Sequence, residues 1–169
     1  MSAGITHPVV LDATVLSNFA STGTVSRLVE ILDQPATVPA VRTELEQGFT
    51  EGYEFLDNAL AHLGDAIEIL DPVRGPVSGE NEIRRRLDGG EAASLLAAMD
   101  HNGTLATDDL AARSVSTEHD IPVTGSVGLL VLGIRREVYD TSTANRWLHQ
   151  WQTKRGYHAP VENIEDVLD

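Results

Sequence analysis

Residues 8–16 read Pro-Val-Val-Leu-Asp-Ala-Thr-Val-Leu, an apolar run that an aspartate interrupts. Residues 8–11 lack the apolar–polar alternation of a half-exposed strand, so they predict a strand buried on both faces, as in a parallel sheet. Asp12 ends this strand. A carboxylate in so apolar a stretch is costly unless it is paired or binds a cation. Its simpler interpretation is the N-cap of a helix that begins near Thr14.

Outward from this segment, short apolar runs alternate with helical patterns. The further predicted strands are residues 36–38, 66–70, 104–107 and 121–123. The predicted helices are residues 14–19, 25–32, 39–45, 53–63, 91–99, 111–118, 126–136 and 143–155. Prolines and glycines over residues 71–79 predict a loop. The alternation predicts an α/β fold, a three-layer α/β/α sandwich with a parallel sheet of about five strands.

The composition does not change along the chain in a way that would mark a second domain. We therefore expect one domain over residues 1–169, with a C-terminal helical extension from about residue 140. Residues 1–12 lack the basic and apolar regions of a signal peptide, and no apolar stretch has the length of a membrane span. These features lead us to expect a cytoplasmic protein without a membrane partner.

The charge balance is strongly acidic. The chain has 12 Lys and Arg against 26 Asp and Glu, a net charge of −14, and Lys154 is its one lysine. Such a halophilic-like acidic surface fits a protein that works in concentrated salt, where screening weakens self-repulsion; an ordinary acidic protein is the alternative. The charge argues against a protein that coats nucleic acid. The absence of cysteine excludes disulfides, thiolate metal sites and cysteine nucleophiles.

Acidic residues follow two of the predicted strands. Asp12 ends the first, and Asp108 and Asp109 follow the fourth, so they should share the edge where ligands of parallel sheets bind. Glu91 is the polar exception at the start of an alanine-rich helix. Converging carboxylates repel one another, and a divalent cation would relieve that repulsion. Oxygen ligands alone favour Mg²⁺ or Mn²⁺.

Four blocks along the chain together resemble the PIN-domain family, within it the VapC-like toxin ribonucleases and the branch with a double aspartate. The blocks are Val-Val-Leu-Asp12-Ala-Thr14-Val-Leu, Val-Pro39-Ala-Val-Arg-Thr-Glu44-Leu, Leu-Asp-Gly-Gly90-Glu91-Ala-Ala-Ser and Leu-Ala-Thr107-Asp108-Asp109-Leu-Ala-Ala-Arg113. The stretch Ile121-Pro-Val-Thr-Gly125-Ser-Val-Gly-Leu-Leu also fits the branch. These blocks span about residues 8–135.

The resemblance implies an acidic quartet of Asp12, Glu44, Glu91 and either Asp108 or Asp109, with both aspartates as possible ligands. It implies one or two Mg²⁺ or Mn²⁺ ions held by Asp12, Glu91 and Asp108 or Asp109.

In the same resemblance, Glu44 would bind metal through water or position the attacking water. Thr14 would orient a metal-bound water or a carboxylate, although an ordinary hydroxyl at a helix N-terminus is the alternative.

The implied function is a metal-dependent endoribonuclease, a hydrolase of RNA phosphodiester bonds that serves as the toxin of a toxin–antitoxin pair. The implied partners are an RNA substrate, a protein antitoxin and a second copy of the chain. The alternative is a non-catalytic PIN-like interaction module that keeps a metal-binding acidic rim.

Other side chains allow two interpretations each. The basic run Arg84-Arg85-Arg86 could hold the substrate backbone, with Arg85 at its centre, or form a solvated helix face paired with Glu80, Glu82 and Asp88. Arg113 is expected to pair with a nearby aspartate. Trp147 and Trp151, four residues apart on a predicted helix, indicate a core stripe or a docking surface.

Overall fold

The computed structural model describes residues 5–72 and 77–168. Its strands are β1 Val9–Leu11, β2 Pro35–Thr37, β3 Glu68–Ile69, β4 Thr104–Ala106 and β5 Val123–Thr124. They form one sheet in the order β3-β2-β1-β4-β5, and every neighbouring pair is parallel. β1 lies in the middle, and its three residues are fully buried. The predicted five-stranded parallel sheet is confirmed.

The helices complete the three-layer α/β/α arrangement. They are α1 Ala13–Ser21, α2 Val25–Ile31, α3 Pro39–Thr50, α4 Asp57–Leu60, α5 Glu80–Arg86, α6 Gly89–Asp100, α7 Leu110–Glu118, α8 Ser126–Arg135 and α9 Thr141–Arg155. A 3-10 turn, Ile164–Val167, follows α9. Within the described ranges, no helix combines the length and the apolar character needed to cross a bilayer.

The predicted helix over residues 53–63 is wrong in its length. The structure has a 3-10 turn, Glu54–Leu56, followed by the single turn of α4. The chain must reverse at Gly64, whose φ of +82° suits glycine, before it enters β3. The apolar side chains of this segment pack from these short turns against α1 and α3. Of the loop predicted over 71–79, residues 73–76 lie outside the described residues.

Both tryptophans of α9 pack as core. Trp151 is fully buried, with ring centroids 5.0 Å from Phe19 and 6.0 Å from Tyr157 in edge-to-face geometry, which aromatic pairs prefer. Trp147 packs in the same way against Tyr139, at 4.8 Å. The core interpretation of this stripe is therefore confirmed. The packing fixes the end of α9 beside α1, and thereby beside the carboxyl end of β1.

Two glycines offer a matched test of the packing. A Cβ on Gly103, at the start of β4, would lie 2.2 Å from the carbonyl oxygen of Pro8, whereas a Cβ on Gly89 would meet nothing within 4 Å. We expect Gly103→Ala to lower the free energy of unfolding by about 1–3 kcal/mol, the usual cost of overpacking. Gly89→Ala should leave it unchanged or raise it by about 0.5–1 kcal/mol, because alanine suits a helix better. Urea denaturation measures both, and equal effects would contradict this account.

Candidate functional site

The carboxyl ends of β1 and β4 lie side by side at the middle of the sheet. Leu11 pairs with Ala106 in the parallel register, and the amide of Asp12 donates to the carbonyl oxygen of Ala106 at 3.1 Å. The next residues after each strand, Asp12 and the run 107–109, therefore meet at one edge, as the strand pattern predicted.

Asp12 is the buried centre of this edge, with 2% of its surface exposed. Its Oδ1 accepts from the Thr14 hydroxyl at 2.6 Å and from the Val15 amide at 3.2 Å, so it is also the N-cap of α1. Its Oδ2 accepts from the Thr107 hydroxyl. Burial raises the pKa of Asp12 to about 6, against the lowering effect of these hydrogen bonds. An ionised carboxylate has about four acceptor positions, so one stays open on Oδ2.

Two threonine hydroxyls tie Asp12 to the double aspartate. Thr14 Oγ1 accepts from the backbone amide of Asp108 at 3.0 Å, and Thr107 Oγ1 accepts from that of Asp109 at 3.1 Å. Each hydroxyl oxygen accepts a hydrogen bond from a backbone N–H, and each hydroxyl donates its own hydrogen to Asp12. The network thereby fixes the position of the backbone at residues 108 and 109 relative to the buried carboxylate.

Asp108 is saturated with protein donors. Its Oδ1 accepts from the Ser126 amide at 2.8 Å and from the Tyr157 hydroxyl at 3.2 Å. Its Oδ2 accepts from Asn18 Nδ2 at 3.2 Å and from the Ser126 hydroxyl. All four acceptor positions are used. Asp108 therefore joins α1, β4, α8 and the segment after α9 to one another.

Asp109 is engaged much less. It caps α7 by accepting from the Ala112 amide at 2.8 Å, and its carboxylate also contacts that of Glu91. Glu91 shares a reciprocal cap with Asp88 at the start of α6. Burial first, and then the charges of Asp109 and Asp88, raise the pKa of Glu91 to about 8. Two half-buried carboxylates thus lie together, and Glu91 holds its proton more tightly than a free glutamate does.

Glu44 extends the acidic surface on the other side of Asp88. Its Oε1 would lie 2.7 Å from a Cβ on Gly90, so this glycine lets α3 and the start of α6 approach closely. Burial and the charge of Asp88 raise the pKa of Glu44. The structure therefore places Asp88 in the acidic surface. The pairing predicted for the basic run is present for Glu80, with Arg84, and for Glu82, with Arg86, but it is wrong for Asp88; Arg86 pairs with Glu118 as well.

The donor chemistry fits a hard divalent cation. Asp12 keeps an open acceptor position, Glu91 and Asp109 repel each other, and every candidate ligand atom is an oxygen. Over residues 5–72 and 77–168, however, no three His, Asp or Glu side chains lie close enough to hold one ion together. The structure brings the acids together as neighbouring pairs, Glu91 with Asp109 and Asp12 with Asp108.

A cleft opens beside these acids. It is lined by Ala13, Thr14, Ser17, Asn18, Glu44, Asp108, Asp109, Leu110, Ala111, Arg155, Gly156, Tyr157 and His158. Glu44 and the double aspartate thus share a cleft with a cation, Arg155, from the last turn of α9. Burial raises the pKa of the Tyr157 hydroxyl, so it stays protonated as a donor to Asp108.

Arg85 is exposed, as in the solvated-face interpretation, whereas Arg113 does not pair with the predicted aspartate. Arg85 lines a separate groove with Glu80, Glu82 and neighbouring residues, away from the acidic cleft. Arg113 donates to the carbonyl oxygen of Thr107 at 3.0 Å, and not to an aspartate. It thus supports the backbone just before the double aspartate.

The sequence analysis missed several side chains of this site. Thr107, Asn18, Ser126, Arg155 and Tyr157 all contact the carboxylates or line the cleft. Only Asn18 carried a local signal, as an amide four residues after Thr14 in an apolar helix. Arg155 and Tyr157 come from a part of the chain whose position depends on tertiary packing.

Glu91 generates a pH prediction for the metal-free protein. Its pKa rises from an ordinary 4.5 to about 8, so the folded state binds this proton more tightly than the unfolded chain. The resulting stability is complete below about 4.5 and is lost as the pH rises through 8. In EDTA, wild type should melt several degrees lower at pH 8 than at pH 5, since about 1 kcal/mol shifts the Tm of such a chain by roughly 2–4 °C.

Glu91→Gln is the informative variant, because glutamine can keep the reciprocal cap. It should flatten the pH profile and melt above wild type at pH 8. Glu46→Gln, on the exposed side of α3, is the control and should follow wild type. A Glu91→Gln profile as steep as that of wild type would exclude Glu91 as the titrating group.

Comparison with known proteins agrees with this architecture. The family model DUF3368, described as a PIN domain, matches residues 8–169, which includes every strand and helix described above. No curated protein matches the chain significantly. PIN domains are generally nucleases, and they typically use divalent metal ions. The chain belongs to the PIN-domain family.

Proposed function

We propose that this chain is a metal-dependent endoribonuclease and the toxin of a toxin–antitoxin pair. The observation that carries the proposal is the edge formed by β1 and β4, where Asp12, Glu91 and Asp109 stand at the starts of α1, α6 and α7. Helix N-termini favour negative charge, so they help to hold these acids together. Glu91, whose pKa is about 8, would still require a cation to be fully ionised at neutral pH.

In this proposal Asp12, Glu91 and Asp109 would hold one or two Mg²⁺ or Mn²⁺ ions, for which these carboxylates would have to move closer together than they lie among the described residues. Such an ion, when bound, lowers the pKa of a water and stabilises charge on the scissile phosphate. Asp109 is preferred over Asp108 as the ligand, because Asp108 already accepts four hydrogen bonds and Asp109 only one from a backbone amide. Asp108 positions the surrounding elements.

Glu44 and Thr14 would act on water and on Asp12. Glu44 lines the cleft and has a raised pKa, so it can accept a proton from the attacking water or hold that water in place. Thr14 donates to Oδ1 of Asp12 and would thereby hold the orientation of this carboxylate. Arg85 lies in a separate groove, where it would contact only a more distant part of a long RNA.

RNA as the substrate and the toxin role are supported by the resemblance of the four sequence blocks. An acidic cleft is a surface that a basic segment of an antitoxin would cover, and a homodimer is the expected assembly. The net charge of −14 suggests a cytoplasm rich in salt, so assays should include high salt.

A non-catalytic interaction module is the second candidate. It is favoured by the absence, among the described residues, of three acids grouped around one point. Incubation of purified protein with mixed RNA separates the two, because only the nuclease gives fragments that depend on Mn²⁺ or Mg²⁺ and disappear in EDTA.

Glu91→Gln should abolish cleavage while preserving the fold. We expect the cleavage rate with Mn²⁺ to fall by about 100-fold or more, the order of loss when one preorganised electrostatic group is removed. Glu46→Gln changes the same functional group outside the acidic edge and should cleave like wild type. Fragment analysis on denaturing gels gives the rates. Undiminished cleavage by Glu91→Gln would reject the proposed ligand set.

Metal binding should also appear in thermal melts. Mn²⁺ that binds only the folded state adds about 2.7 kcal/mol at a concentration of 100 Kd. Wild type should therefore melt several degrees higher in Mn²⁺ than in EDTA at fixed ionic strength. Glu91→Gln should lose most of this increase and Glu46→Gln none of it. An increase of equal size in both variants would mean that the ion binds elsewhere.

A further inference from the structure

We propose that Arg155 binds a backbone phosphate of the RNA in the acidic cleft, as a substrate-binding residue whose guanidinium is oriented by Asn18 and Phe55. The inference rests on the proposed ribonuclease function and adds to it the contact through which this acidic protein holds a polyanion. Arg155 belongs to the last turn of α9, 137 residues from its anchor Asn18.

The first anchor is a buried amide with a fixed orientation. Asn18 is 4% exposed, and its Nδ2 donates to Asp108 at 3.2 Å and to the Ser126 hydroxyl at 3.1 Å. These bonds leave its Oδ1 facing Arg155, whose Nε donates to it at 3.0 Å. Rotation of the amide would break all three contacts, so Asn18 determines where the guanidinium points.

The second anchor is an aromatic ring. The Cζ of Arg155 lies 5.1 Å from the centroid of Phe55, within the range of a cation–π contact. Together the anchors occupy Nε and one face of the guanidinium. In the described part of the chain, its two terminal nitrogens form neither a hydrogen bond nor an ion pair. A planar fork with free terminal N–H groups matches two oxygens of one phosphate.

The charges of the cleft favour this contact for a nucleic-acid substrate. Glu44, Asp108 and Asp109 line the cleft and repel phosphate, and Arg155 is the one Arg or Lys among the described residues that line it. Lys154 is exposed and adjacent in sequence but does not line the cleft. These neighbours therefore form a pair in which one cation lines the cleft and the other does not.

The test measures RNA binding separately from cleavage. Each variant is made in the Glu91→Gln background and titrated, with Mg²⁺ present, into a short fluorescein-labelled single-stranded RNA, with anisotropy as the readout. Arg155→Gln should weaken binding about tenfold or more, because the variant loses the charge-assisted hydrogen bonds of the guanidinium to phosphate. The slope of log K against log[salt] should fall by about 0.7, the value for one phosphate of a single strand.

Arg155→Lys keeps the charge but not the fork, so it should retain the salt slope and lose affinity. Lys154→Gln should bind like its parent. With Glu91 restored, Arg155→Gln should raise KM much more than it lowers kcat. A purely structural role would lower the Tm without changing the salt slope.

Other outcomes overturn the inference. In one, Arg155→Gln binds RNA with the same affinity and salt slope as its parent; in another, Lys154→Gln loses as much affinity as Arg155→Gln. Either result would show that Arg155 does not contact phosphate, while the ribonuclease function would stand. If the Glu91→Gln parent does not bind RNA and wild type does not cleave RNA with metal present, the proposed function fails, and the role of Arg155 fails with it.

Discussion

The burial of one carboxylate, Asp12, organises the whole acidic edge. It lies between the middle strand and α1, where a charge without partners would be strongly destabilising, and two threonine hydroxyls and a backbone amide satisfy it. Because the same hydroxyls accept the amides of Asp108 and Asp109, the position of the double aspartate follows from the need to solvate Asp12. Stability and the geometry of the site therefore have one physical origin.

The acids of the edge have two roles that sequence alone presented as alternatives. Asp12 and Asp109 are helix caps, and Glu91 completes the cap of α6. The capping bonds of these three acids leave some of their acceptor positions unused. At Asp108, by contrast, hydrogen bonds from the protein use all four. One side chain can thus be both a helix cap and a candidate metal ligand. Which acid can serve as both depends on how many acceptor positions of its carboxylate remain unused.

The fold followed from the sequence because its strands are short apolar runs between helical patterns, and the carboxyl edge followed from the residues directly after β1 and β4. The spacing of apolar residues predicted one helix over residues 53–63, and this was wrong because the chain has to reverse there. The prediction for Asp88 was also wrong, because Asp88 caps α6 and does not pair with arginine. Arg155 and Tyr157 could not be predicted, because aromatic packing of Trp151 on Phe19 brings them to the cleft.

The residues of the cleft are far apart along the chain. A newly made protein therefore acquires the parts of the cleft one after another. During synthesis, which proceeds from the N-terminus at roughly 5–20 residues per second, the sheet and the acidic edge can form before residues 155–157 leave the ribosome. Until α9 docks, Asp108 lacks the Tyr157 hydroxyl and the cleft lacks its arginine. A nascent chain would therefore present the acids of the edge before the cleft contains its arginine.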